Sequence, residues 1–149
     1  MTSFLDIVTT VCIGLLIGTE FAVSVFINPI LYQLDDRSQA RALRLFARRL
    51  GTAMPFWYVA SLLLLIVAAV VRRQQSGDAL LTAASVIWVA VIIVTLAVLV
   101  PINNRMMQLG GDEFPAEARR QHRKWETLHR LRVAALATAM VCFLIAVHV

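Results

Sequence analysis

Residues 52–71 and 79–100 carry no charged side chain. As helices, each can cross a bilayer core of about 30 Å, which takes about 20 apolar residues. Residues 133–149 form a third run, at the short end of that range, and a fourth, 7–34, contains one charge, Glu20. Backbone polar groups in lipid must be satisfied within the segment, so runs of this length and polarity read as helices. The expected fold is an all-α membrane protein, a four-transmembrane-helix bundle. It forms one integral domain over 1–149, with spans at about 4–32, 52–71, 79–100 and 133–149. Composition agrees: 60% of residues are hydrophobic and 15% charged, against about 25% charged in a soluble domain.

A cleavable leader is the competing reading of the first run, but it needs a basic stretch in front. The first Lys or Arg is Arg37 and Asp6 precedes the run, so the segment reads as a retained helix. A net charge of +5 raises nucleic acid as a partner; the distribution answers differently. Of 14 Lys and Arg, Arg37, Arg41, Arg44, Arg48 and Arg49 lie between spans one and two. Arg72 and Arg73 follow span two, and the other seven lie between spans three and four. The first and third connections share a side. The positive-inside rule puts them in the cytoplasm and both termini outside. The basic excess therefore marks contact with anionic membrane lipid and no nucleic acid. It places the chain as a multi-pass protein of the cell membrane, with a bacterial inner membrane as the setting. Cys12 and Cys142 sit alone in spans and read as packing residues.

Span one contains Gly14 and Gly18, a spacing that admits a close neighbour, either an internal helix or a second copy in a homo-oligomer. Near its end, Asn28-Pro29 is expected to kink the helix and free a carbonyl. Arg37, Arg41, Arg44 and Arg48 then form a basic stripe opposite Ala42, Leu43, Phe46 and Leu50. That pattern predicts an amphipathic interfacial helix between spans one and two. The alternative is a cytoplasmic extension of span two, which Gly51 and Pro55 would break. The third connection crosses Gly110-Gly111 and restarts near Pro115. Residues 116–132 are expected to form a cytoplasmic extension of the fourth helix.

Glu20 is the most informative residue, because a carboxylate in a span normally faces the bundle interior with a partner. Ser24, Asn28 and Tyr32 follow at steps of four. The carboxylate is either a ligand, base or proton-handling acid, or half of a buried ion pair that fixes packing. Counting inward from a common outer level, Glu20 lies roughly 21 Å deep at 1.5 Å per residue. Trp57 and Tyr58 fall at that depth, Arg132 within about one turn and His129 within about two. A pocket there would be lined by acid, aromatics, His and Arg. His122, Trp125, Glu126, His129 and Arg132 mostly share one side of the fourth helix. Glu126 and His129 have the spacing by which one helix offers two metal ligands, but no second Glu-x-x-His exists. A single metal on His129, His122, Glu20 or Glu126 stays open. Asn103, Asn104 and Arg105 either cap helix ends and bind lipid phosphate, or stabilise an enolate, phenolate or oxyanion.

At Val100-Pro101-Ile102-Asn103-Asn104-Arg105 and Trp125-Glu126-Thr127-Leu128-His129-Arg130-Leu131-Arg132 the chain resembles the anthrone oxygenase-like family of small four-helix membrane proteins. Segments 18–25, beginning Gly18-Thr19-Glu20, and 54–58, Met54-Pro55-Phe56-Trp57-Tyr58, are also similar to it. Members with an assigned role oxidise anthrones to anthraquinones with molecular oxygen, without a classical organic cofactor. The resemblance implies that Asn103, Asn104, Arg105, Trp125, His129 and Arg132 are the polar signature.

The expected function is a membrane-embedded oxidoreductase or oxygenase acting on a flat anthrone-, phenol- or quinone-like substrate. Trp57, Tyr58, Trp125 and Asn28 would bind it. His129, with Glu20, would remove a proton, and Arg132, Arg105, Asn103 and Asn104 would hold the anion for reaction with oxygen. The cofactor is either none or a single metal ion, ahead of haem. The alternatives are a non-enzymatic accessory protein with a buried ion-pair network, or a metal or haem carrier.

Overall fold

The structure is a computed structural model and describes residues 2–108 and 115–149. The Gly110-Gly111 break lies outside the described residues. Everything long in it is helix, arranged as four rods that we number α1 to α4. The first, α1, runs Thr2–Ala22, widens into a π turn at Val23–Ile27, and ends as Asn28–Leu31. The second, α2, is Asp36–Val71. The third, α3, runs Asp78–Val94, passes through a π turn at Thr95–Leu99, and finishes as Val100–Met107. The last, α4, is Ala116–Ala146.

Both π turns have the same cause. Pro29 and Pro101 bring no N–H to the helical ladder, and a proline ring crowds the carbonyl four residues back. The residue before each proline bonds one residue further away instead, Asn28 N–H to Val23 C=O and Val100 N–H to Thr95 C=O. The expected kink at Asn28-Pro29 is thus a widened turn, and α3 carries its counterpart.

The first connection is not a separate interfacial helix. Asp35 caps α2, its carboxylate accepting from Ser38 N–H at 3.0 Å. The helix then continues through Gly51 and Pro55 for 36 residues. That is roughly 54 Å at 1.5 Å per residue, well beyond a bilayer core. The basic stripe is therefore the projecting end of the second span. The first half of α4 projects beside it, and Arg119 reaches Asp36 at 2.5 Å.

Two apolar clusters hold the bundle. The larger joins all four rods through Ile13, Leu16, Leu65, Trp88, Leu136 and Phe143. A smaller one, of Leu31, Ala40, Leu43, Met106 and Ala118, ties the projecting ends together. Only 22–28% of each span's most apolar window is buried inside the bundle. The remainder, from Phe4, Ile7, Val11 and Leu15 on α1 to Val141 and Ile145 on α4, faces outward. Apolar surface on that scale is the signature of a lipid-contacting protein, and the chain is a multi-pass membrane protein. Of the two glycines in α1, Gly14 lies where an added Cβ would meet Met140 on α4 at 3.6 Å, and Gly18 faces open space.

At the end away from the arginine stripe, Arg72 bonds Asp6 at 2.5 Å and lies 3.5 Å from Val147 C=O. The same end turns on Gly77, whose φ of +101° only glycine adopts readily. A Cβ there would stand 2.7 Å from Ala146 C=O. Gly77→Ala is therefore expected to cost about 1–3 kcal/mol, read as a lower melting temperature in detergent. Unchanged melting would show that α3 and the end of α4 are not packed this way.

Candidate functional site

Between the two apolar clusters lies a cavity of about 220 Å³ to which every rod contributes. Its polar wall begins with Glu20, 2% exposed and one turn ahead of the first π turn. Tyr58 of α2 donates its hydroxyl to Glu20 Oε1 at 2.9 Å. Arg132 of α4 donates Nη2–H to Oε2 at 2.6 Å and lies 5.7 Å over the Tyr58 ring. Its other terminal nitrogen reaches Thr95 Oγ1 on α3 at 3.5 Å. One buried ion pair thus has partners on all four helices. A buried pair of this kind is sustained by close geometry and by the extra hydrogen bonds that satisfy its remaining sites.

His129 is fixed from both sides. Its Nε2 lies 3.0 Å from the Glu20 carbonyl, which can only accept, so Nε2 carries the proton. Nδ1 then accepts from Arg132 Nη2 at 2.8 Å. Glu20 Oε2 is a further 3.2 Å from Nδ1. The imidazole is the neutral Nε2–H tautomer, with a carboxylate beside the nitrogen that would take a proton. Trp125 stacks on it, centroids 4.6 Å apart and planes 11° apart.

Toward the projecting end the wall continues through His122, Asn28 and Asn103. Asn103 Nδ2 lies 3.4 Å from Ala47 C=O and close over Gly51, where an added Cβ would stand 3.3 Å from it. Beyond His122, Tyr32 donates to Glu126 Oε2 at 2.7 Å, and Arg130 holds Oε1 at 2.5 Å. Tyr32 sits just past the first span. Partial burial, and then the bonded Glu126 carboxylate, raise its pKa, so its hydroxyl stays a donor.

The structure therefore brings Glu20, Tyr58, His129 and Arg132 into one bonded unit and sets Asn28, Asn103, His122 and Trp125 around the same cavity. It leaves others outside. Trp57 turns its indole N–H to Cys12 C=O at 3.0 Å, and Asn104 and Arg105 face outward from the tip of α3. Glu126 and His129, three residues apart, diverge to different partners. Among the described residues no three His, Cys, Asp or Glu side chains converge as a metal-binding set. Thr95 is the residue that sequence reasoning passed over. Its signal was available: it is the one hydroxyl between Ser85 and Asn103, six residues before Pro101.

The rest of the lining is apolar, including Leu43, Met54, Ile92 and Leu99. The cavity opens sideways. Gly51, Pro55 and Val59 on α2 and Leu96 on α3 line it and are exposed. At this level α2, which packs on α3 above and below, makes little contact with the π turn Thr95–Leu99.

Comparison with curated proteins and with solved structures gives no match. A family model described as Anthrone oxygenase matches residues 42–142. The match takes in Tyr58, Thr95, Asn103, Trp125, His129 and Arg132, and stops short of Glu20 and Asn28 on α1. Since it spans more than half of the chain, the protein belongs to the anthrone oxygenase family.

Proposed function

We propose that this membrane protein oxygenates a flat, apolar, carbonyl-bearing aromatic compound of the anthrone type, using molecular oxygen. The observation that carries the reading is an apolar cavity at span depth whose charged wall, among the described residues, is the Glu20–Arg132–His129 unit. At about 220 Å³ it is smaller than the pockets of roughly 300–1,000 Å³ that take drug-sized ligands. It suits one compact fused-ring molecule, and the opening between α2 and α3 admits such a molecule from lipid. The arginine-rich end faces the cytoplasm, following the positive-inside bias.

His129 takes a proton from the activated ring carbon at Nδ1, as Arg132 turns from it toward the new anion. Glu20 Oε2 then stabilises the imidazolium it already adjoins. The carbanion gives its electron pair to dioxygen and a C–O bond forms. His129 returns the proton to the distal oxygen, giving a hydroperoxide beside Arg132. Loss of the second C–H proton with O–O cleavage leaves a new carbonyl and one water. The substrate is oxidised by four electrons and one dioxygen is reduced.

A second reading, a packing protein held by a structural ion pair, is favoured by the contacts of that pair with all four helices. One measurement separates them. Purified protein in vesicles carrying dissolved anthrone should consume one oxygen for each anthraquinone formed. Uptake no faster than in protein-free vesicles would leave the structural reading standing.

A further inference from the structure

Two side chains toward the projecting end of the cavity stand apart from the bonded unit. Asn28 and His122 are each 2% exposed, both line the cavity, and Asn28 Nδ2 and His122 Nε2 have no hydrogen-bond partner. On the deeper wall Arg132 Nε also lacks a partner, but Arg132 is held through both terminal nitrogens, and the Glu20 carboxylate, the Tyr58 hydroxyl and both His129 nitrogens are all partnered. Buried polar groups are paired as a rule. Two polar nitrogens left unpaired at one end of the cavity wall point to a ligand that completes them.

Both lie at the same end of the cavity, one on α1 and one on α4. Tyr32, one turn beyond Asn28, packs its ring edge-on against His122 at 5.2 Å. A half-turn of the Asn28 amide, or of the His122 ring, exchanges its two ends, so either residue can present an N–H to the cavity. Neither is held in place by a competing bond at that nitrogen.

We infer that Asn28 and His122 form a two-point clamp for the carbonyl oxygen of the aromatic ligand, each donating an N–H to it. The inference rests on the proposed reading of the cavity as an aromatic site, and assigns the end at which the ligand is oriented. Asn28 lies eight residues beyond Glu20, roughly 12 Å along the helix at 1.5 Å per residue. A fused-ring ligand between them reaches the clamp at one end and His129 at the other. When a proton leaves the ring carbon, charge spreads through the conjugated rings onto the clamped oxygen. Donors already aimed at that oxygen stabilise the anion more than the neutral ketone.

Two probes with the same three-ring frame test this: anthraquinone, which carries carbonyls, and anthracene, which carries none. Binding is measured on the full chain in detergent or nanodiscs, by titration against intrinsic tryptophan fluorescence. Wild type should prefer anthraquinone by about tenfold or more, since a site built to hydrogen-bond an oxygen discriminates against its absence. Asn28→Leu and His122→Phe should each remove most of that preference while anthracene affinity holds within about twofold. His122→Gln, which keeps an N–H donor, should retain it. Equal affinity of wild type for the two probes, or an unchanged preference in both apolar variants, would overturn the clamp and leave the aromatic cavity standing. Failure of wild type to bind either probe would remove the cavity reading and the clamp with it.

Discussion

Arg132→Leu is expected to lower stability by about 3–5 kcal/mol, because it leaves a buried carboxylate without its counter-ion. Glu20 is 2% exposed and its Oε2 is 2.6 Å from the guanidinium. Tyr58 remains to hold Oε1, but one neutral hydroxyl cannot replace a full charge at that depth. Glu20→Leu should be costly for the mirror reason, leaving a cation with only the neutral Thr95, His129 and Tyr58 beside it. The double replacement removes both charges and should lose far less than the sum of the two single losses. Unfolding each variant in mixed detergent closes the cycle. Strict additivity would mean that the two groups are not paired in the folded bundle. The same cycle bears on function, since a purely structural pair predicts that the double variant regains whatever activity the single variants lose. Oxygenation requires that it does not.

His129→Gln should cut oxygen uptake by about 10²–10⁴, the usual worth of a positioned general base. Glutamine keeps an N–H that can satisfy the Glu20 carbonyl, so packing against Trp125 and α1 is retained and melting should change little. The loss should fall on kcat, because the amide cannot accept the ring proton but occupies similar space. Normal turnover in this variant would remove His129 as the base and move attention to Glu20, the other proton acceptor beside the same guanidinium.

The spans were legible because an uncharged run of 20 residues has few other fates. So was the meeting of Glu20 with Tyr58, Arg132 and His129, because counting rises along antiparallel helices gives each residue a height. Height is not direction, however. Trp57 and Tyr58 share a depth but are 100° apart around α2. Tyr58 bonds the carboxylate, and Trp57 bonds the backbone of α1 well toward the opposite end. The same limit applies to Asn103, Asn104 and Arg105, of which the first faces the cavity and the other two do not. Gly51 and Pro55 looked like a helix break, yet α2 runs straight through them. A proline lacks one bond and glycine weakens the ladder, but packing on both sides of the cavity holds the rod. Asn28 and His122 were visible as polar residues, and their want of partners could not be read without coordinates.

The two widened turns have a consequence for spacing. Each holds one residue more than an α-helical turn, and that surplus rotates everything beyond it by about 100° around the rod. Asn28 lies beyond the first turn and Asn103 beyond the second. An unbroken α-helix with the same sequence would swing both amides off the cavity, toward lipid or a neighbouring rod. Glu20 to Asn28 and Thr95 to Asn103 are eight residues each. The widened turn is therefore as much a component of the site as the side chains at its ends: straightening it with the surplus residue kept changes the bearing of each amide, whereas losing that residue with the turn preserves it.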